Sequence, residues 1–339
     1  MDNAVSIGIV GYGYWGSKLL PKFLANRDCK VRMVCELDPR LRAALNQQSP
    51  DLHTTDSYEE LLSDAAIMAV VLATPPATHH PLARKALAAG KHVWIEKPLA
   101  TSLAEGRELV QLAQEKARVI FVDHTFLYDP LVQKSRQIIE SGALGDIYHL
   151  YFQRLNLGRI KRDSNVWWNS APHDVSMLLY LLRDQPASVA LHGYRYLQPQ
   201  VEDLNMAIIE MRGVASAFIY HNWLFPENTA RVTVVGSRKL LVYEGKFDKR
   251  AVSIYEYSVD HDDRAGAELP TTIPSRFTRH YQLDDVPDAE PLVSAMQDFV
   301  ESIREGRRPL SDGEFSLQVL AVVEAGETSL RCGGGKVLL

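Results

Sequence analysis

Apolar and polar positions follow two different rhythms along this chain. From Val5 to about Phe121, short continuous apolar runs alternate with stretches in which apolar residues recur at helical spacing. Val5 to Val10 is a β-branched run, and after a glycine-rich turn Leu19, Leu20, Phe23 and Leu24 mark one face of a helix. Val31 to Cys35 is the next strand-like run, and Leu41, Ala44 and Leu45 predict a helix after Pro39. Ser57-Tyr-Glu-Glu60 predicts a capping box ahead of Leu61 and Leu62, in which serine and glutamate satisfy each other's backbone donors. Ile67 to Leu72 is apolar throughout, as a strand buried on both faces requires. Pro81 to Ala89, closed by Gly90, predicts a helix with a glycine stop, and His92 to Ile95 another strand. Strands alternating with helices predict βαβ units, hence an α/β domain with a doubly wound parallel sheet.

Beyond Phe121 the rhythm changes. Ile147 to Leu155, Ser188 to Arg195, Asn205 to Met211, Val214 to Tyr220, Ala230 to Val235 and Lys239 to Tyr243 read as successive strands, with turn chemistry at Met211-Arg-Gly213 and Gly236-Ser237. Strands joined by short turns predict an α+β domain with a mainly antiparallel sheet. The expected domains are 1–122 and 123–339. His261 to His280 is polar and aperiodic and reads as a loop, while Leu292 to Arg304 and Phe315 to Leu330 read as amphipathic helices. Gly333-Gly-Gly335 reads as a turn before a terminal strand, since no helix follows to make it a phosphate loop.

Composition narrows the partners. At 339 residues, with 46% apolar and 23% charged, the chain is an ordinary globular protein. Its 37 basic residues against 42 acidic ones leave a net charge of −5, so no overall positive field favours nucleic acid. Cys29, Cys35 and Cys332 form neither a disulfide framework nor a zinc motif, so no metal is expected. The first positive charge comes only at Lys18, which does not resemble a secretory signal, and the longest apolar run, Ala65 to Ala73, is too short for a bilayer. A cytoplasmic protein with no membrane contact is the expectation.

The strongest local signal is Gly11-Tyr-Gly13-Tyr-Trp-Gly16, directly after a strand and opening a helix. The first glycine allows the tight turn, the second lets backbone approach a pyrophosphate, and the third lets helix pack on strand. Glu36 ends the second strand twenty residues after Gly16, where a carboxylate accepts the ribose hydroxyls of NAD and repels the extra phosphate of NADP. Arg40 and Arg42 nearby keep NADP open as an alternative. Thr74-Pro75-Pro76, with His79 after it, and Glu96-Lys97-Pro98 end two further strands and so border the cofactor crevice. Lys97 there can hold a substrate oxygen and stabilise negative charge as it develops.

These strings, with Ala73-Thr-Pro-Pro-Ala-Thr-His-His80, Ala89-Gly-Lys-His-Val-Trp-Ile-Glu-Lys-Pro-Leu99 and Ala171-Pro-His-Asp174, resemble the glucose-fructose oxidoreductase / inositol dehydrogenase / MocA family over nearly the whole chain. The resemblance implies a Rossmann domain, an open antiparallel sheet used for homodimer or homotetramer contacts, and NAD(P)-dependent oxidation or reduction of a sugar or related polyol. It places the family's lysine on Lys97 and its helix-borne histidine on His173. The expected cofactor-binding set is Gly11, Gly13, Tyr14, Trp15, Gly16, Glu36, Thr74, Pro75, His79, Glu96 and Lys97.

His173 lies before the apolar run Leu178 to Leu182, where a helix-borne histidine can take a proton from a hydroxyl or return it. Four residues earlier, many family members carry an aspartate, and this chain has Asn169, which keeps the shape but not the charge. Asp174 falls on another helical face. Arg154, Asn156 and Arg159 resemble the family's substrate-facing stretch, with edge-strand charges as the equal alternative, and His124 and Tyr128 follow the last Rossmann strand. Trp223 and Tyr194 read as core or interface aromatics. The expected activity is hydride transfer between NAD(H) and a carbon of a sugar, nucleotide sugar or cyclitol, with Lys97 polarising the oxygen and His173 as acid/base. Two alternatives are a reductase of an imine or conjugated double bond and a cofactor-binding protein without turnover.

Overall fold

Residues 4–157, 164–213, 215–246, 249–259 and 275–339 are described by a computed structural model. The first run of elements is β1 (Val5–Val10), α1 (Gly16–Ala25), β2 (Cys29–Cys35), α2 (Pro39–Gln48), β3 (His53–Thr55), α3 (Tyr58–Ser63), β4 (Ala69–Leu72), α4 (His79–Ala88), β5 (His92–Ile95), α5 (Leu103–Glu115) and β6 (Ile120–Val122). The six strands form one sheet in the order β3-β2-β1-β4-β5-β6, with every neighbouring pair parallel. The order reverses direction between β1 and β4, which is the switch point at which such sheets open a ligand crevice.

Local chemistry sets the ends of several of these helices. Asp38 caps α2 by accepting the Arg40 amide, with Pro39 preset at the first helical position. Gly90 closes α4 at φ +74°, a conformation that favours glycine. The capping box at Ser57 forms only in part. Ser57 Oγ accepts the Glu60 amide at 3.2 Å, but the Glu60 carboxylate turns to the Thr55 hydroxyl and His53, and Thr55 Oγ1 takes the Ser57 amide instead. The short strand β3 places those partners within closer reach.

The second run is α6 (Pro130–Glu140), β7 (Ile147–Leu157), α7 (Val166–Leu182), β8 (Pro186–Tyr194), β9 (Leu204–Met211), β10 (Ser216–Asn222), β11 (Leu224–Gly236), β12 (Lys239–Lys246), β13 (Lys249–Val259) and β14 (Ser275–Gln282), then α8 (Pro291–Glu305), α9 (Gly313–Arg331) and β15 (Val337–Leu338). Nine strands make the second sheet, β14-β13-β12-β11-β7-β10-β9-β8-β15, antiparallel except for the β10–β7 pair. The loop expected over 261–280 is corrected at its end, because residues from Ser275 onward pair as β14 with β13. Arg276, Phe277 and Tyr281 fit that pairing although their pattern lacks the strict alternation of a half-buried strand. The rest of that stretch, 261–274, lies outside the described residues.

The chain divides into two compact units, Met1–Tyr128 with Glu290–Ala321, and Asp129–Ala289 with Val322–Leu339. The expectation of a single cut after residue 122 omits this return, which has a physical cause. Phe299 of α8 is fully buried in an aromatic cluster of the first unit, edge-on to Trp94 at 5.6 Å and to Phe121 at 5.7 Å, while Trp94 and Phe121 stack at 4.2 Å. Such pairs add to the area that each ring buries. In the second unit Trp167 of α7 is buried, its indole donating to the Val323 carbonyl at 2.8 Å. A side chain at Gly326 of α9 would collide with that ring at 2.6 Å.

Candidate functional site

In the first unit the carboxyl ends of the parallel strands gather the predicted residues. Gly11 adopts φ +92°, and a Cβ there would stand 2.7 Å from the Ala73 carbonyl oxygen. At Gly16 a Cβ would stand 2.0 Å from the Gly11 carbonyl oxygen, whereas at Gly13 nothing lies within 4 Å. The outer glycines are therefore required by packing, and the middle one leaves backbone open on the side a pyrophosphate needs. Tyr14 and Trp15 lie on the surface of this loop, 52% and 37% exposed, with Lys18 Nζ 4.2 Å from the Tyr14 ring centre. Glu36 is fixed over the loop, accepting the Tyr12 amide at 2.6 Å and the Asp38 amide at 2.9 Å. Its carboxylate keeps acceptor sites for ribose hydroxyls. Arg40 is paired with Asp38 at 2.8 Å and Arg42 with Asp56 at 2.9 Å.

At the end of β4, Pro75 is exposed and the Thr74 and Thr78 hydroxyls hydrogen-bond at 2.7 Å. His79 does not face a cofactor directly. It is fully buried, with Nδ1 2.8 Å from the Pro98 carbonyl oxygen and Nε2 2.9 Å from that of Thr74, so it ties the ends of β4 and β5 together. Burial lowers its pKa despite those two acceptors, and the charge of Lys97 lowers it further. Lys97 is half-buried just beyond β5, and its peptide bond to Pro98 is cis.

Three further groups at the ends of β5 and β6 are buried rather than presented. Glu96 is 5% exposed, Asp123 2% and His124 1%. Glu96 and Asp123 hydrogen-bond through their carboxyl groups. Burial and the Asp123 charge push Glu96 well above the carboxylate range, and burial raises Asp123 too. His124, expected to reach nicotinamide or substrate, is packed edge-on to Phe315 at 5.9 Å, and neither ring nitrogen has a hydrogen-bond partner. Burial and the Lys97 charge push its pKa down to about 3. Tyr128 is likewise buried, its hydroxyl donating to Asp298 at 2.6 Å.

In the second unit α7 carries the predicted histidine. Asn165 caps the helix by accepting the Trp168 amide at 3.0 Å, and most of the helix is buried. Asn169 and His173, four residues apart, share a half-buried face, as one helical turn requires. Asp174 points elsewhere: 2% exposed, it accepts from Arg154 Nη2 at 2.6 Å and from His221 Nε2 at 2.8 Å. Burial pushes this carboxyl up, but the Arg154 charge and the His221 hydrogen bond outweigh it, and the net shift is downward. His221 is fully buried and its pKa is lowered, chiefly by burial, so the neutral ring donates to an ionised Asp174. Arg154 is thus committed to a buried ion pair. Asn156, two residues on, is half-buried, and Arg159 lies outside the described residues.

His221 is absent from the sequence expectations, although its position carried a signal. It follows buried Ala217 and Ile219 at strand spacing and pairs in register with Arg154, which turns both toward Asp174. Trp223 is buried, and Tyr194 is half exposed and stacked with Tyr196 at 6.3 Å. Two clefts lie away from these residues' strand ends. One of about 300 Å³ is lined by His92, Arg118 and Arg307 at the amino-terminal end of β5, and another of about 410 Å³ by Asn165, Trp168, Arg195 and Glu202. Among the described residues no helix is long and apolar enough to cross a membrane.

Comparison with known proteins agrees with this layout. Residues 5–124 match an oxidoreductase family with an NAD-binding Rossmann fold, and residues 132–242 match the GFO/IDH/MocA C-terminal domain. The scyllo-inositol 2-dehydrogenase (NAD(+)) of Bacillus subtilis is 26% identical over 341 residues, covering 94% of this chain and 93% of that one. The scyllo-inositol 2-dehydrogenase (NADP(+)) of the same organism is 24% identical, over 95% and 93%. The solved UDP-N-acetylglucosamine 3-dehydrogenase of Acidithiobacillus ferrooxidans shares the fold, with a TM-score of 0.82 at 21% identity over 97% of this chain and 98% of that one.

Proposed function

The chain belongs to the Gfo/Idh/MocA oxidoreductase family, and from that premise we propose that it transfers a hydride between NAD(H) and a ring carbon of a sugar, nucleotide sugar or cyclitol. The observation that carries this reading is the row of strand ends in the first unit. The open Gly13 backbone, the fixed Glu36 carboxylate and Lys97 stand at the carboxyl ends of β1, β2 and β5 of one parallel sheet. When bound, the nicotinamide supplies or accepts the hydride; the backbone from Gly11 to Gly16 would hold the pyrophosphate and Glu36 the adenosine ribose.

Glu36 favours NAD over NADP, and the prior engagement of Arg40 and Arg42 with aspartates supports the same preference. Lys97 donates to the reacting oxygen and stabilises its developing charge. His173 is the proton-transfer group of the second unit. Asn169 supplies no charge to strengthen His173 as a base, and Asp174 is taken up by Arg154 and His221. This favours reduction, of a keto sugar or of an imine or conjugated double bond, over alcohol oxidation.

The second sheet also supports self-association with a second copy of the chain. Tyr194, Met206, Ile208 and Phe218 stand on the face opposite the buried alternates Leu191, Asn205, Ala207 and Ile209, between about a third and a half exposed. An apolar sheet face of this kind is usually covered.

The test is titration with NADH and NADPH by fluorescence, followed by turnover of a panel of sugars, nucleotide sugars and their keto forms. Tighter binding of NADH and a substrate-dependent absorbance change are expected. Tight cofactor binding with no turnover in either direction would leave a binding protein instead.

A further inference from the structure

The first unit holds a titratable cluster that hydride transfer as described above does not use. Glu96 and Asp123 leave adjacent parallel strands at equivalent positions, since Ile95 pairs with Val122 and the Asp123 amide donates to the Ile95 carbonyl at 2.9 Å. Both carboxyls are buried, they hydrogen-bond to each other, and Glu96 Oε1 has no hydrogen-bond partner. Thr125 Oγ1 donates to Asp123 Oδ1 at 2.6 Å, which leaves Asp123 as the acceptor of the pair. Two carboxylates are acceptors only, so a bond between them needs a proton.

Position gives this proton a function. Strand order divides the crevice: Glu36, the adenosine-side residue, follows β2, on one side of the switch between β1 and β4. The nicotinamide half of a dinucleotide then lies toward the ends of β4, β5 and β6. The oxidised nicotinamide ring is a cation and the reduced ring is neutral, so the pair meets a different charge in the two redox states. A cation close to a buried carboxyl pair favours its ionised form.

We propose that Glu96 and Asp123 share one proton in the free protein and release it to solvent when the oxidised cofactor binds, but keep it when the reduced cofactor binds. The inference rests on the nicotinamide reading of the crevice and is independent of which substrate is reduced. It makes the ratio of NADH to NAD affinity depend on pH, with acid favouring the reduced cofactor and therefore reduction. The other ionisable groups around the pair are Lys97 at the end of β5, His124 beyond β6, His79 of α4 beside Lys97, and Tyr128 with Asp298 of α8. Burial keeps His124 and His79 neutral near pH 7, and keeps the Tyr128 phenol protonated.

Calorimetry in buffers of different ionisation enthalpy measures the protons exchanged as each cofactor binds. In the wild type, NAD binding releases a fraction of a proton approaching one, and its affinity rises by up to about tenfold per pH unit across the window in which the pair titrates. NADH binding exchanges none. Asp123→Asn and Glu96→Gln abolish the release. Infrared spectroscopy of the free protein shows a protonated-carboxyl C=O stretch that is missing from Glu96→Gln, a readout that needs neither cofactor nor turnover. NAD bound without proton release, or release that persists in both variants, overturns the proposal and leaves the nicotinamide reading standing. Failure to bind either cofactor overturns both. Absence of the infrared band in the wild type overturns the shared proton alone.

Discussion

Each unit buries a cluster of ionisable groups, and the two clusters solve burial in opposite ways. In the second unit, Asp174 is taken out of water but meets Arg154 head-on at 2.6 Å and His221 at 2.8 Å, and its carboxyl stays ionised. In the first unit, Glu96 is taken out of water beside Asp123, a group of its own sign, and burial with that like charge pushes its pKa well above the carboxylate range. Desolvation raises the pKa of both carboxyls; the sign of the neighbour decides the outcome. One cluster therefore serves as fixed structure, and the other is able to change its charge when a ligand arrives.

The largest effect should come from breaking the compensated cluster. Asp174→Ala leaves the half-buried Arg154 and the fully buried His221 without their carboxylate, and removing one partner of such a cluster costs up to about 3–5 kcal/mol. Denaturant unfolding measures this; a loss under about 1 kcal/mol would make the pair an ordinary surface contact. Next, Lys97→Ala should lower turnover about 10²–10³-fold while NADH binding persists, because a donor to a developing oxyanion acts in the transition state. Unchanged turnover would remove Lys97 from the chemistry.

Stability against pH sharpens the contrast, because the two carboxyls have opposite signs. The folded pKa of Asp174 is depressed, so its stabilisation is present above the unfolded value near 3.9 and is lost as pH falls through the lower folded value. The folded pKa of Glu96 is raised, so its contribution is fully present below the unfolded value near 4.3 and is lost as pH rises toward the folded value. Glu96→Gln should therefore gain on the wild type as pH rises above about 4, by at most about 1.4 kcal/mol per pH unit. Unfolding curves at a series of pH values check this, and a constant gap would mean that Glu96 ionises normally. The smallest effect is expected from Asn169→Asp. It should leave cofactor binding intact and displace the pH–rate profile by up to about one pH unit. An unmoved profile would exclude position 169 from the mechanism.

Much of this layout is legible along the chain because it is local. A continuous apolar run specifies a parallel strand whatever lies beside it, and β1, β2, β4 and β5 fall close to where the pattern predicts them. Helix α5 escapes the periodicity reading, although Ser102 and Glu105 carry the chemistry of a helix start, the Ser102 hydroxyl accepting the Glu105 amide at 3.3 Å. The glycine loop and Glu36 are likewise readable, since the turn and the strand end that position them are written within a few dozen residues.

Burial and partnership are not local. Sequence alone determined β1, β2, β4 and β5, the cofactor fingerprint, and Lys97 and His173 as candidates. Only the tertiary structure decided that His79 is a buried tie between two strand ends, that His124 is packed away, and that Arg154 is spent on Asp174. Asp123 meets Glu96 because β6 lies next to β5, and His221 meets Asp174 because β10 pairs with β7 across a gap of many residues. The physical reason is that a side chain's charge state depends on what surrounds it in space. That is set by strand order and packing, which no stretch of the chain specifies by itself.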